Sequence, residues 1–361
     1  MSTRLKDRYN RVFIEQVSCV VVQRYSGFSK ELFQQRVFNR AWSELTLKSR
    51  IDHIAVALYQ GLPMAYPQAL EILTPLSAGF DGLMGLFLPA YVEKYGRHEP
   101  RRSLQALAQM TRFCSAEFAI RPFIEDNPKD TFAQMLEWSL SEDEHLRRLS
   151  CEGCRPRLPW AKVLKVFQNR PSCVLPLLEN LKTDESIYVR KSVANHLNDI
   201  SKDHPEWVVN IARNWWGQHT HTDWIIKRGC RTLLKDNHPD VLSLFGFLPP
   251  NHLQVNDFCV DDTVTFGSDL HFSFVLNAGS VRLGKLRVEY AIDLLKARGH
   301  WSRKWFALSE SFVTESHKAV SRKYLFKALS VRRYYPGVHR LIIRVNGEEK
   351  ACRKFVLVMD L

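Results

Sequence analysis

No stretch of eighteen uncharged apolar residues occurs in this 361-residue chain, and its longest early apolar run, Val17 to Gln23, is far too short to cross a bilayer. Nor does the sequence open with a basic segment, an apolar stretch and a small-residue cleavage site, the pattern of an export signal. A soluble, cytoplasmic protein with no membrane partner is the expectation. Paired cysteine ligands are missing as well. The eight cysteines are scattered, and only Cys151 and Cys154 stand at a spacing that suits a metal or a redox pair. No second ligand pair follows at a usable distance and no βαβ context surrounds them, so they read as free thiols, mostly small buried hydrophobes, with no metal and no cofactor implied. Acidic residues are in short supply: 38 Asp and Glu stand against 51 Lys and Arg, a formal charge of +13. A polyanion is the first partner to consider, because neutralising phosphates releases condensed counterions. Charge alone fits a lipid surface, RNA or plain solubility as well.

What is present is enough apolar residue, 45%, to fill two cores at this length. Prolines mark a repeat. Pro128, Pro171, Pro205 and Pro239 lie 43, 34 and 34 residues apart, and each opens an apolar-periodic segment, where a missing N–H costs a helix nothing. After the first three segments comes an acidic, polar turn and a second helix with adjacent basic residues, in which Arg148, Arg190 and Lys227 take equivalent places. Helix pairs at this period predict a HEAT-like α-solenoid with those cations stacked along one face. Such a face suits a phosphate backbone, and equally well these side chains snorkel over the core. Residues 1–100 also read as helices, for example Glu31 to Leu47 and Leu47 to Leu58, and offer a capping repeat.

Past Pro249 and Pro250 the period changes to alternation. Leu270–Leu276, Leu286–Ile292, Lys304–Leu308, Arg322–Ala328, His339–Val345 and Lys354–Met359 read as strands, with turn signals at Asn277, Pro336-Gly337 and Asn346-Gly347. About seven strands in some hundred residues predict an immunoglobulin-like β-sandwich. The expected division is therefore a helical domain over 1–250 and a sandwich over 251–361. The latter holds 18 Lys and Arg against 11 Asp and Glu.

Chemistry concentrates between Ser115 and Trp160. Glu117 lies among apolar neighbours, Glu152 sits just before Gly153, and Pro156 and Pro159 present Trp160 on a rigid turn. Farther on, Asn195 and Asp199 share one helical face. Three carboxylates and a tryptophan at a basic groove suit a cationic ligand. Taken singly, each acid is as readily structural, and Glu117 with Arg121 has the spacing of an ordinary helical ion pair. Trp215 and Trp216 read as core. A non-catalytic HEAT-repeat adaptor accounts for the solenoid, the charge and the immunoglobulin-like module but leaves Glu117, Glu152 and Trp160 without a task.

Three phrases carry a resemblance. Ser115-Ala-Glu-Phe-Ala-Ile-Arg-Pro-Phe123, Arg147-Arg-Leu-Ser-Cys-Glu-Gly-Cys-Arg-Pro-Arg-Leu-Pro-Trp160 and Val189-Arg-Lys-Ser-Val-Ala-Asn-His-Leu-Asn-Asp-Ile-Ser-Lys202 resemble the AlkC branch of bacterial alkylpurine DNA glycosylases, in the form with an appended immunoglobulin-like domain. Cys151 and Cys154 depart from the small residues usual there, which argues further against a cysteine-based site. The resemblance implies a monofunctional glycosylase that removes 3-methyladenine and 3-methylcytosine from double-stranded DNA without rotating the damaged nucleotide into a pocket. By the same resemblance Glu117 and Glu152 approach the lesion, Trp160 packs on its deoxyribose with Phe118 nearby, and Asp199 positions water. Arg148, Arg155, Arg157, Arg190, Lys191, Lys227 and Arg231 are the expected DNA contacts, and the protein is expected to act as a monomer.

Overall fold

The structure, a computed structural model, describes residues 4–63, 65–328 and 332–359. The chain divides into two compact units, Met1–Gly229 and Cys230–Leu361. The change of period at Pro249-Pro250 marks where strands begin, whereas compactness assigns the short helices Arg231–Lys235 and Pro239–Leu244 to the unit that carries the strands. Among the described residues no helix is long and apolar enough to cross a membrane.

All four ruler prolines open helical segments. Pro128, Pro205 and Pro239 stand in the first turn of helices Pro128–Trp138, Pro205–Trp215 and Pro239–Leu244, and Pro171 opens a 3-10 turn that runs into Leu175–Leu181. Three packed pairs follow: Pro128–Trp138 with Glu144–Gly153, Leu175–Leu181 with Ile187–Ile200, and Pro205–Trp215 with Thr220–Gly229. The second members also stack on one another, Glu144–Gly153 on Ile187–Ile200 and that on Thr220–Gly229. This stacking is what makes the unit a solenoid. Side-chain caps set where two of these helices start, Asp143 accepting from the His145 N–H and Ser186 from that of Tyr188. Nearer the start of the chain, the helix expected over Glu31 to Leu47 ends early. It spans Lys30–Val37, and a turn precedes Leu47–Tyr59, whose cap is Thr46.

The repeat register differs from the spacing argument. Arg147 and Arg190 each stand four residues beyond their capping residue and donate to the carbonyl six residues back, Ser141 and Asp184 respectively. By that contact Arg147, not Arg148, matches Arg190. By another, Arg148 matches it: Arg148 lies 5.0 Å over the Tyr188 ring and Arg190 5.9 Å over Trp224, each on an aromatic of the helix stacked against its own. Lys227 falls in the last turn of its helix rather than the first, so it breaks the series.

Eight strands are described: β1 (Gln254–Val260), β2 (Thr263–Thr265), β3 (Asp269–Asn277), β4 (Gly284–Leu295), β5 (Trp301–Val313), β6 (His317–Leu325), β7 (Gly337–Val345) and β8 (Glu348–Val358). They form two sheets, β1-β3-β6 and β2-β8-β7-β4-β5, antiparallel except for β2 on β8. Leu270, Phe274, Ile292, Leu341 and Phe355 fill the space between them. The β7–β8 hairpin turns at Asn346 (φ 45°) and Gly347 (φ 92°), the left-handed pair that this dipeptide favours. Two strands escaped the alternation argument. β1 is interrupted by a bulge between Asn256 and Cys259, with Asp257 at φ 50°, and β2 is only three residues long. β6 lies upstream of its expected span because it buries a single side chain, Val320, and so has little pattern to read.

Candidate functional site

Glu117 sits in a turn ahead of the short helix Arg121–Asp126, Glu152 in the last turn of Glu144–Gly153, and Asp199 in the last turn of Ile187–Ile200. Distant in sequence, they meet because Glu144–Gly153 packs on Ile187–Ile200 and the 115–120 turn packs behind them. Gly153 permits the approach, since a Cβ there would stand 2.5 Å from Ile120 Cγ2.

Two arginines join the acids into one ladder. Arg148 Nη1 donates to Ser115 Oγ and, at 3.0 Å, to Glu117 Oε2, while its Nη2 lies 3.5 Å from Glu152 Oε1. Arg155 donates to Glu152 Oε1 at 2.6 Å and to Asp199 Oδ2 at 2.8 Å. Ser192 donates to Glu152 Oε2 at 2.6 Å, and Lys202 to Asp199 Oδ1 at 3.2 Å. Glu117, Glu152, Asp199 and Arg155 are 9, 6, 2 and 6% exposed. Burial alone would lower the pKa of Arg148 and Arg155, but the flanking carboxylates outweigh it and both guanidiniums are held more firmly charged than usual. Among the described residues Glu117 Oε1 accepts no hydrogen bond, so this acid is oriented through one oxygen and keeps the other available.

A cavity of about 340 Å³ is lined by Ser115 and Phe118, which flank Glu117 in sequence, while the three acids of the ladder do not line it. Ser115, Phe118 and Ala119 contribute one wall, Leu47, Lys48 and Asp52 another, Glu93 a third. Trp160 stands at its rim, 70% exposed, on a backbone with φ 65°. A large apolar ring left in solvent on a left-handed non-glycine residue is a strained arrangement of the kind that gathers at functional sites. Lys48 Nζ reaches the Trp160 carbonyl at 3.4 Å and lies 5.7 Å over the Phe118 ring. Burial pushes the Asp52 and Glu93 carboxyls above the usual range, against the opposing pull of Lys48. Lys48, Asp52 and Glu93 carried no signal in sequence, for they come from helices far from the three motifs.

The expected basic contacts divide. Arg155 is enclosed between two acids and Arg157 forms a bidentate pair with Asp203 at 2.7 and 2.5 Å, so both are engaged within the protein rather than presented to a phosphate. Arg190 is half-buried. Lys191 and Lys227 are exposed, as is Arg231, which lies in the second unit. Trp224, not singled out in sequence, is exposed between Arg190 and Arg228, 5.9 and 5.6 Å from their guanidiniums. Arg121 does not pair with Glu117. It donates to the carbonyls of Gly153, Arg155 and Lys162, and burial lowers its pKa to about 10. Cys151 and Cys154 are fully buried, and burial pushes the Cys151 thiol up to about 12. Trp215 is core, its Nε1 donating to Glu179 at 2.8 Å, and Trp216 is half-buried.

Residues 103–236 match the family model described as DNA alkylation repair enzyme, and residues 254–359 the one described as Uncharacterised protein YhaZ, C-terminal Ig-like domain. The YhaZ protein of Bacillus subtilis (strain 168) is 44% identical over 348 residues, 96% of this chain and 97% of that one. The alkylpurine DNA glycosylase AlkC of Pseudomonas fluorescens, solved bound to DNA containing an abasic site analog, matches with a TM-score of 0.93 at 36% identity, covering 99% of this chain and 100% of that one.

Proposed function

Since the chain belongs to the AlkC branch of the DNA alkylation repair enzymes, we propose that it is a monofunctional DNA glycosylase for cationic N3-methylated bases in duplex DNA. Its substrates are 3-methyladenine and 3-methylcytosine. An alkylated base of this kind already carries positive charge, so it departs as a neutral molecule and needs no general acid. What remains is to stabilise an oxocarbenium-like sugar and to supply water, and carboxylates serve both needs.

The observation that carries this reading is the single ladder of Glu117, Glu152 and Asp199, aligned by Arg148 and Arg155 and joined through Ser115 to the cavity that Phe118 and Trp160 line. Glu117, with one oxygen uncommitted, approaches the developing charge. Glu152 reinforces it through their shared Arg148, and Asp199 positions the attacking water. Trp160 packs on the deoxyribose with Phe118 behind it, and an aromatic face near the cationic nucleotide adds about 0.5–2 kcal/mol. Bending of the duplex, rather than rotation of the nucleotide, brings these groups to the bond. Arg190, Lys191, Lys227 and Arg231 contact the phosphate backbone, and the sandwich adds to the grip through its excess of cations. The protein acts as a monomer, without a cofactor, in the cytoplasm.

Incubation with methylated duplex DNA tests this. Free 3-methyladenine and 3-methylcytosine are expected in the supernatant, with strands intact until alkali cleaves the abasic sites. Binding without base release would instead mark a damage sensor, and absence of DNA binding a protein adaptor.

A further inference from the structure

The cavity lined by Phe118 and Trp160 holds two acids that the carboxylate ladder does not use. It lies where the helix Leu47–Tyr59 packs on the helix Phe87–Tyr95. Leu47, Lys48, Ile51 and Asp52 recur at the spacing of one helical face, and Pro89, Ala90 and Glu93 do the same on the second helix. Most of the lining is apolar, yet each helix brings one carboxyl to it. Among the described residues neither Asp52 nor Glu93 accepts a hydrogen bond or forms an ion pair. Polar groups set against apolar surface without partners cost stability, and a ligand that supplies donors relieves that cost.

The lining also says what kind of ligand fits. Burial holds both carboxyls above the usual range, and the charge of Asp52 raises Glu93 further. A carboxyl that keeps its proton offers a donor beside an acceptor, which matches an amine and a neighbouring ring nitrogen on the edge of an aminopurine. Phe118 stands in the wall, with Lys48 Nζ 5.7 Å over its ring, and Trp160 is 70% exposed at the rim. Two aromatic faces favour a flat ring system. A volume of about 340 Å³ stands at the small end of ligand sites, which run to ~1,000 Å³, and suits a single base rather than a stretch of polymer. Ser115 ties this place to the ladder, since it lines the cavity and accepts from Arg148.

We propose that this cavity receives the free alkylated base after its bond to the sugar has broken, with Asp52 and Glu93 on the amine edge and Phe118 and Trp160 on the ring faces. The assignment rests on the glycosylase reading, which supplies the base. The nucleotide stays in the duplex while it is intact, and the leaving group gains a place away from the sugar cation.

Equilibrium dialysis of the full-length protein against radiolabelled 3-methyladenine at pH 7, without DNA, tests it. Three proteins are compared: the natural chain, D52N/E93Q, which keeps the shape of the cavity, and A90F, which fills it from the second helix. The natural chain is expected to bind one base per molecule, and each variant to bind about tenfold more weakly or worse. Base added to the natural chain at the concentration that saturates dialysis is expected to slow multiple-turnover excision. Absence of saturable binding, unchanged affinity in either folded variant, or excision indifferent to saturating base would overturn the proposal. Because dialysis contains no DNA, failed base binding alongside normal excision would overturn this seat alone. Failure of the natural chain to release methylated bases from DNA would overturn the glycosylase reading with it.

Discussion

Arg155 has almost no solvent around it and lies between two acids, so neutralising either acid has a structural consequence as well as a chemical one. Asp199→Asn leaves part of a buried guanidinium uncompensated and is expected to lower stability by about 3 kcal/mol in denaturant unfolding. Glu117→Gln, at the edge of the ladder, leaves Arg148 its contacts with Ser115 and Glu152 and is expected to cost less, about 1–2 kcal/mol, in the same measurement. Trp160 is the reverse case. Its ring packs on little and its backbone is strained, so Trp160→Gly is expected to leave the melting temperature unchanged or raise it, while slowing base excision about tenfold through loss of the aromatic face. At this scale the sequence motifs named the three acids and the tryptophan, because those residues are local to recognisable phrases. They did not foretell that Arg155 and Arg157 face inward, since pairing with Asp199 and Asp203 depends on a helix more than forty residues away.

Among the elements, the helix pairs were legible because proline at a helix start and a recurring apolar period are both local signals. Register was less so. Arg147 and Arg148 are adjacent, and Arg190 shares one contact with each, so spacing alone had no means of choosing between them. The sandwich was read from alternation, which failed where a bulge interrupts β1 and where the edge strand β6 buries one residue. Packing of the site depends on one close approach. Gly153→Ala would force a Cβ against Ile120, and a loss of about 1–3 kcal/mol is expected in thermal unfolding, with excision slowed because Glu152 is the preceding residue.

For the molecule as a whole, acid sensitivity follows from a buried imidazole. Burial, with a smaller contribution from the nearby Arg155 charge, pushes His196 down to about 3, and its Nδ1 proton goes to the Cys151 carbonyl at 3.2 Å. The folded chain therefore keeps this group neutral where the unfolded chain would take up a proton. Stability is complete above the unfolded value near 6.5 and falls as pH drops from there toward 3, by about 1.4 kcal/mol per unit. Unfolding midpoints measured between pH 7 and pH 4 are expected to show this slope, and His196→Gln to reduce it. Charge excess and fold class were legible from composition and period, whereas which cations of the sandwich stand paired with acids was not, because strand register decides it, as for Arg303 with Asp293 and Arg344 with Glu289. Single-turnover excision of 3-methyladenine from duplex DNA by Glu117→Gln, Glu152→Gln and Asp199→Asn, at saturating protein, weighs the carboxylate ladder most directly. If the ladder carries the chemistry, Glu117→Gln and at least one of the others fall by about a hundredfold with DNA affinity retained. Rates near that of the natural chain in all three folded variants would contradict it.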